Sequence, residues 1–156
     1  MKKLFFDCGT RDATASVGLF VLRAGTGLMM LLGHGLPKLH AYDKLKANWP
    51  TANIWPLSHL SSEISLICTL VAEIGAAALL VLGLMTRPAA FIFGFAMVVA
   101  AFQIGAHEPW FMGPDAPTAK EPALLYLLPA VVLILTGAGS WSFDAALYRE
   151  GKRKRW

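Results

Sequence analysis

Two ionisable side chains lie deep within long apolar stretches of this sequence. Arg23 is the only charge between residues 13 and 37, and Glu73 is the only charge between residues 64 and 86. A charge at the centre of a bilayer costs roughly 2.5 to 3.5 kcal/mol on insertion scales, so neither residue is expected to face lipid. Counted along antiparallel helices, the two residues lie at similar depths, and we expect Arg23 and Glu73 to pair inside a helical bundle.

The expected pair has two interpretations that the sequence leaves open. A buried ion pair can set the register of two helices without adding net stability. Alternatively, the pair forms the floor of a polar intramembrane site for a quinone head group, a small oxyanion or a proton in transit, because intramembrane charges are functional by default. Small residues would allow the two helices to approach closely, namely Gly27, Ala72, Ala76 and Ala77.

Further polar residues extend the candidate site toward one end of the helices. His34 follows Arg23 at helical spacing and is expected on the same face, while Gln103 and His107 share a face on the third apolar stretch. The four histidines match no standard metal-ligand spacing, so no metal site is assigned, although metal or small-solute binding or transport stays open as an alternative. The candidate binding residues are therefore Arg23, His34, Lys38, Glu73, Gln103 and His107.

The composition indicates which solvent surrounds these residues. Of the 156 residues, 56% are hydrophobic and only 15% are charged, against roughly a quarter charged in an average soluble domain. The charges collect between four apolar stretches at about residues 14–36, 63–85, 88–106 and 122–138. Each stretch is long enough for a helix to cross a hydrocarbon core of about 30 Å. The sequence therefore predicts one all-α domain over residues 1–156, an integral membrane bundle of four transmembrane helices.

The basic residues predict how this bundle is oriented. With four spans the termini share a side, which carries nine lysines and arginines against four on the opposite side. By the positive-inside rule both termini are then cytoplasmic. Residues 37–62 and 107–121 become outer loops that face each other and could cover a cavity. The basic tail at residues 149–156 is expected to meet anionic lipid, and no nucleic acid is needed to explain it.

Cysteine and glycine positions add smaller expectations. Cys8 and Cys68 form no CxxC pair, which argues against a thiol oxidant, and Cys68 is expected to be a small packing residue. Gly137 and Gly139 are predicted to stop the fourth helix, after which Ser140 or Ser142 begins a short new one. The pairs Ala72/Ala76 and Ala90/Gly94 allow close packing within the chain or in a homodimer.

From about Ser16 to Asp144 the chain resembles the DoxX family of small bacterial four-helix membrane proteins. The resemblance is carried by Arg23 in "LRAGTGLMMLLGHGLPKL", with Gly33 and Lys38 at the end of that helix, by Glu73, Gly83 and Thr86 in "AEIGAAALLVLGLMTRPAA", and by the closing "GAGSWSFD". It implies a location in the bacterial cytoplasmic (inner) membrane and an association with sulfur-linked or quinone-linked redox chemistry.

Together these observations give one leading hypothesis of function and two alternatives. The leading one is a membrane component of a redox system, at most a non-catalytic or partner-dependent oxidoreductase subunit. Because the sequence has no haem-attachment motif and no dinucleotide loop, electron transfer would need a diffusible quinone or a partner redox subunit. The alternatives are the solute or metal module and a purely structural membrane scaffold.

Overall fold

The structure is a computed structural model that describes residue 10 and residues 12–147, and the elements in this part of the chain are helices. Four long helices dominate: α1 (Ala13–His40), α2 (Ser62–Leu82), α3 (Thr86–Ile104) and α4 (Glu121–Thr136). Short helical segments follow α1 at Tyr42–Leu45, precede α2 at Leu57–His59 and close the described chain at residues 143–147. The basic tail predicted at residues 149–156 lies outside the described residues.

The four helices differ in their capacity to span a bilayer. By length and composition α1, α2 and α3 can each cross a membrane, whereas α4 is a shorter apolar helix. Many large apolar side chains lie exposed on the outside of the bundle, among them Val21, Met29, Phe91, Leu128 and Leu135. An apolar exterior of this kind suits lipid better than water.

Local sequence explains where the first two helices begin and where α2 ends. The Asp12 carboxylate caps α1 by accepting from the Ala15 N–H at 2.7 Å, and the Ser61 hydroxyl caps α2 by accepting from the Ile64 N–H at 3.3 Å. At the other end of α2, Gly83 takes a left-handed conformation with φ of 67°. The N–H of Leu84 then donates back to the carbonyl of Leu79 at 3.0 Å, which completes a Schellman motif.

Each of the first three helices contains one wide π-helical segment, at Leu31–Gly35, Val71–Ala76 and Ala100–Ile104. A π segment shifts the phase of a helix, because its hydrogen bonds run from residue i to i+5. In α1 the buried face passes from Met30 to Gly35, and His34 is exposed. The expectation that His34 shares the face of Arg23 is therefore wrong. It assumed a regular repeat of about 3.6 residues per turn, which the π segment interrupts.

The core lies between the helices and uses small residues for close packing. At Gly27 an added Cβ would stand 2.7 Å from the Ala77 carbonyl oxygen, which confirms the close approach of α1 to α2. An added Cβ at Gly94 of α3 would stand 3.1 Å from the Ala130 side chain of α4. The small-residue pairs thus pack within this chain. The buried core cluster consists of Met30, Ala76, Ala77, Leu80, Ala89, Ala90, Phe93, Met97, Ala130 and Leu133.

Candidate functional site

Arg23 does not pair with Glu73. Its guanidinium is 1% exposed and donates to the backbone carbonyls of Leu80 at 2.8 Å and Val81 at 2.6 Å. A third hydrogen bond goes to the carbonyl of Trp141 in the closing segment. The last carbonyls of a helix have no intrahelical donor and carry the negative end of its dipole, so they are natural partners for a cation. Arg23 therefore joins the end of α2 to the closing segment.

The register of α1 against α2 explains why the expected pair is wrong. Arg23 lies level with Leu80, and Gly35 lies level with Glu73, because an added Cβ at Gly35 would stand 3.0 Å from the Glu73 carbonyl oxygen. Seven residues separate Leu80 from Glu73, or about 10 Å of helix. Depths counted from assumed helix ends placed the two charges too close together.

The closing segment completes a hydrogen-bonded junction around Arg23. Asp144 is 2% exposed, and its two carboxylate oxygens accept from the N–H groups of Met85 at 2.8 Å and Thr86 at 2.9 Å, which caps α3. The Ser140 hydroxyl donates to the Ser16 hydroxyl at 2.6 Å and so ties the segment to α1. We use the name Arg23 junction for the group formed by Ser16, Arg23, Gly83, Ser140, Trp141 and Asp144.

Glycine is needed at the centre of the Arg23 junction. A Cβ added at Gly83 would stand 2.6 Å from the Arg23 guanidinium carbon and 2.7 Å from the Ser142 Cβ, and φ there is 67°. Gly137 and Gly139 also have positive φ, at 81° and 74°. The Ser142 hydroxyl accepts from the Ala145 N–H at 3.1 Å. These observations confirm the predicted helix stop and the predicted start of a short helix at Ser142.

Glu73 pairs instead with Lys38. Their side chains form a salt bridge in which the Lys38 side chain is 23% exposed and that of Glu73 only 6%. Lys38 lies one turn beyond Gly35 on α1, and helical side chains lean toward the N-terminus, so its ammonium reaches back to the level of Glu73. The structure thus brings together two of the candidate residues, Lys38 and Glu73, although Arg23 was the expected partner of Glu73.

The Lys38–Glu73 pair lines a cavity of about 540 Å³ between α2, α3 and the connection that follows α1. Its walls are mostly apolar, as ligand sites usually are. Cys68 also lines it and is exposed, so the expectation that this cysteine only packs is wrong. Other residues that line the cavity include Trp49, Pro50, Leu57, Leu60, Ile92, Phe95, Val99 and Ile104.

The connection between α1 and α2 covers one side of this cavity. The Trp49 indole donates to Thr69 at 3.3 Å, and the Ser65 hydroxyl donates to the Pro50 carbonyl at 2.9 Å. The Lys38 ammonium lies 5.5 Å from the centre of the Trp49 ring, within the range of a cation–π contact. Of the two outer loops expected to form a cover, residues of the first one line the cavity.

One polar atom of the cavity is left without a partner. Among the described residues, Glu73 Oε2 is buried and has no hydrogen-bond donor, whereas the hydroxyls of Ser65 and Thr69 are both engaged. A buried acceptor without a donor costs roughly 1 to 3 kcal/mol. Glu73 therefore keeps one buried carboxylate oxygen at the cavity wall without a donor among the described residues.

The candidate residues His34, Gln103 and His107 are not among the described residues that line the cavity. The exposed His34 ring meets Tyr126 of α4 edge-on, with 5.7 Å between ring centres. Gln103 is half-buried in the π segment of α3, and His107 is exposed beyond the end of that helix. In the part of the chain that the structure describes, no three histidine, cysteine or acidic side chains are grouped so as to hold a metal ion.

Outside the spans, Tyr42 forms a contact with the first turn of α2 that shifts its pKa. The Tyr42 hydroxyl donates to Glu63 at 2.8 Å, and this hydrogen bond raises the pKa of Tyr42 above its usual value. The contact fastens the short helix after α1 to the first turn of α2. It therefore helps to hold the connection that covers the cavity.

A bundle of long apolar helices with an apolar exterior defines an integral membrane protein. The DoxX family model matches residues 18–106. The chain belongs to the DoxX family and is a multi-pass membrane protein. No curated protein and no solved structure matches it.

Sequence reasoning missed Trp49, Cys68 and Asp144 as parts of the two sites. Asp144 had a signal, because an aspartate just after "GSWSF" can cap a neighbouring helix start. Trp49 belongs to the first outer loop, which was expected to cover a cavity, but no local pattern marks Trp49 as the residue beside Lys38. The matched region includes Lys38 and Glu73, whereas Trp141 and Asp144 lie beyond it.

Proposed function

We propose that this protein is a membrane component of a redox system that binds a quinone in the Lys38–Glu73 cavity. The observation that carries the proposal is a largely apolar cavity of about 540 Å³ with a partly buried ion pair on its wall. Ligand sites of small organic molecules have volumes of roughly 300 to 1,000 Å³ and few polar groups. A quinone combines a flat apolar ring, two carbonyl acceptors and an apolar tail.

The polar groups of the cavity suit a quinone head group. Lys38 can donate a charge-assisted hydrogen bond to one ring carbonyl, and this type of bond is about twice as strong as a neutral one. Glu73 Oε2 has no donor among the described residues and can accept from a quinol hydroxyl. Aromatic and aliphatic walls from α3 would contact the ring, with Phe95 and Ile92 among them.

The same groups would handle protons if the bound quinone were reduced. A quinone takes up two electrons and two protons when it becomes a quinol, and the described residues offer a carboxylate and an ammonium at one place. The electrons would come from a partner redox subunit. Under this proposal the chain holds the quinone and exchanges protons with it, and it does not itself supply electrons.

We further propose that α4 spans the membrane with the other three helices and that both termini are cytoplasmic. The 16 residues of α4 rise about 24 Å, slightly less than the hydrocarbon thickness, and thinning or snorkelling accommodates such a mismatch at modest cost. Arg87 lies at the end of the bundle that holds the Arg23 junction, while Lys38 and Lys120 lie at the other end. The proposed orientation places the junction in the cytoplasmic half of a bacterial inner membrane.

A scaffold role has its own support in the same observation, because an ion pair can simply fix helix register. The two roles differ in what happens to a ligand. Under the scaffold role the cavity binds no quinone, and the removal of either charge changes only stability. Under the redox role the loss of Lys38 weakens quinone binding even when the protein stays folded.

The test is quinone binding by the purified full chain in nanodiscs, measured as quenching of tryptophan fluorescence by a short-tailed ubiquinone analogue. Lys38→Met should weaken binding about tenfold or more, because a hydrogen bond to a charged group contributes roughly 1.5 to 3 kcal/mol. Lys46→Met is the matched control, since Lys46 pairs with Asp43 in an exposed bridge at 2.7 Å. Equal binding by the two variants would refute the proposed site.

A further inference from the structure

A second recess lies at the other end of the bundle, on the outside of the helices. It is a groove of about 610 Å³ between the first turns of α1 and the last turn of α4. Its walls include Gly18, Leu19, Leu22 and Leu135, and Arg87 at the start of α3 also lines it. This groove is separate from the Lys38–Glu73 cavity and shares no lining residue with it.

The Arg87 guanidinium has few hydrogen-bond acceptors around it in the described part of the groove. Among the described residues, its Nε is buried without an acceptor, and its one hydrogen bond is a long contact of 3.5 Å to the Leu135 carbonyl. In that same part of the chain the two salt bridges join Lys38 to Glu73 and Lys46 to Asp43. The described groove lining contains no carboxylate. A planar guanidinium with free donors matches a phosphate group well.

The remainder of the groove matches a hydrocarbon chain. Leucines of α1 and α4 form its walls, and an added Cβ at Gly18 would meet no atom within 4 Å, so the floor is open. The groove follows α1 from Ala15 to Leu22, about 10 Å along the helix axis. A cation at one end of an apolar groove on a membrane protein matches an anionic phospholipid. The cation would bind the phosphate, and the groove would hold the acyl chain that extends from it.

We propose that this groove is a binding site for one anionic phospholipid, whose phosphate binds Arg87 and whose acyl chain lies along α1 beside Gly18. The site does not depend on the proposed quinone function, because its residues are different. It would tie a lipid to the end of the bundle where the closing segment meets α1.

The experiment is native mass spectrometry of the full chain in detergent, with phosphatidylglycerol and phosphatidylcholine titrated in parallel. The wild type should retain phosphatidylglycerol preferentially. Arg87→Gln should weaken that binding about tenfold or more, because a charge-assisted hydrogen bond is lost. Lys44→Gln removes one exposed positive charge elsewhere and should leave the lipid affinity unchanged.

A second pair of variants keeps the test decisive if Arg87→Gln folds poorly. Gly18→Leu fills the groove and should reduce lipid retention about tenfold, whereas Gly25→Leu adds the same side chain at another open position of α1, outside the groove. Glycerol phosphate, which lacks acyl chains, should not bind. Equal retention of both lipids, equal loss in Lys44→Gln and Arg87→Gln, or undiminished binding by Gly18→Leu would overturn the proposal.

Discussion

Replacing Arg23 by methionine tests whether this residue holds the bundle together. The guanidinium makes three hydrogen bonds to backbone carbonyls, those of Leu80, Val81 and Trp141. Bonds from a charged donor contribute about 1.5 kcal/mol each at the low end, and the end of the α2 dipole adds roughly 0.5 kcal/mol. The buried methionine side chain recovers part of this sum. We expect Arg23→Met to lower the free energy of unfolding by about 3 to 4 kcal/mol.

The assay is reversible unfolding in mixed micelles of mild detergent and dodecyl sulfate, followed by far-ultraviolet circular dichroism. Arg87→Met is the matched control, because that arginine makes one long hydrogen bond of 3.5 Å among the described residues and should lose less than about 1 kcal/mol. Folded Arg23→Met protein should still bind quinone, since its site lies elsewhere. Equal stability of the two variants would refute the structural role given to Arg23.

Three further predictions follow from the same contacts. Gly83→Ala should destabilise by about 2 kcal/mol or more, because the new Cβ meets the guanidinium and φ is positive, whereas Gly25→Ala, in open space, should not; thermal unfolding of the two variants decides this. Asp144→Asn can cap only one of two N–H groups and should lower stability by about 1 kcal/mol in the same assay. Lys38→Met alone should destabilise by roughly 3 kcal/mol, and adding Glu73→Leu should restore most of it; a double variant as unstable as the single one would contradict the buried pair.

The sequence predicts the architecture well because its signals are local and physical. A stretch of about twenty residues with at most one charge marks a candidate membrane helix. Three of the four predicted stretches coincide with helices that can span a bilayer, and the fourth coincides with the shorter apolar helix α4. The left-handed Gly137 and Gly139 and the Ser142 cap also follow from local chemistry. The family assignment is confirmed over residues 18–106.

The partners of the buried charges could not be predicted in the same way. Arg23 binds backbone carbonyls, and every residue has one, so no side-chain type in the sequence marks the acceptors. The π segment of α1 shifts the phase of that helix and leaves no pattern as clear as a proline. The same phase shift exposes His34. The two errors about the site therefore have different sources: assumed helix ends for the Arg23–Glu73 pair, and an assumed regular helix for His34.

The cavity itself depends on contacts between residues that are distant along the chain. Trp49 lies over Lys38 because the connection after α1 folds back onto α2, where Ser62 and Ser65 donate to its carbonyls. Sequence reasoning identified Lys38 and Glu73 as candidates but had no basis for joining them. Three-dimensional packing supplied that link.

The most direct test of the central claim is to locate a bound quinone by photo-crosslinking. An azido-quinone irradiated with the purified full chain should label peptides that contain Trp49 and Cys68, which line the Lys38–Glu73 cavity. Labelling should fall strongly in Lys38→Met and persist in Lys46→Met. Labels confined to residues 15–22 in the groove beside Arg87, or unchanged labelling in Lys38→Met, would contradict a quinone site at this ion pair.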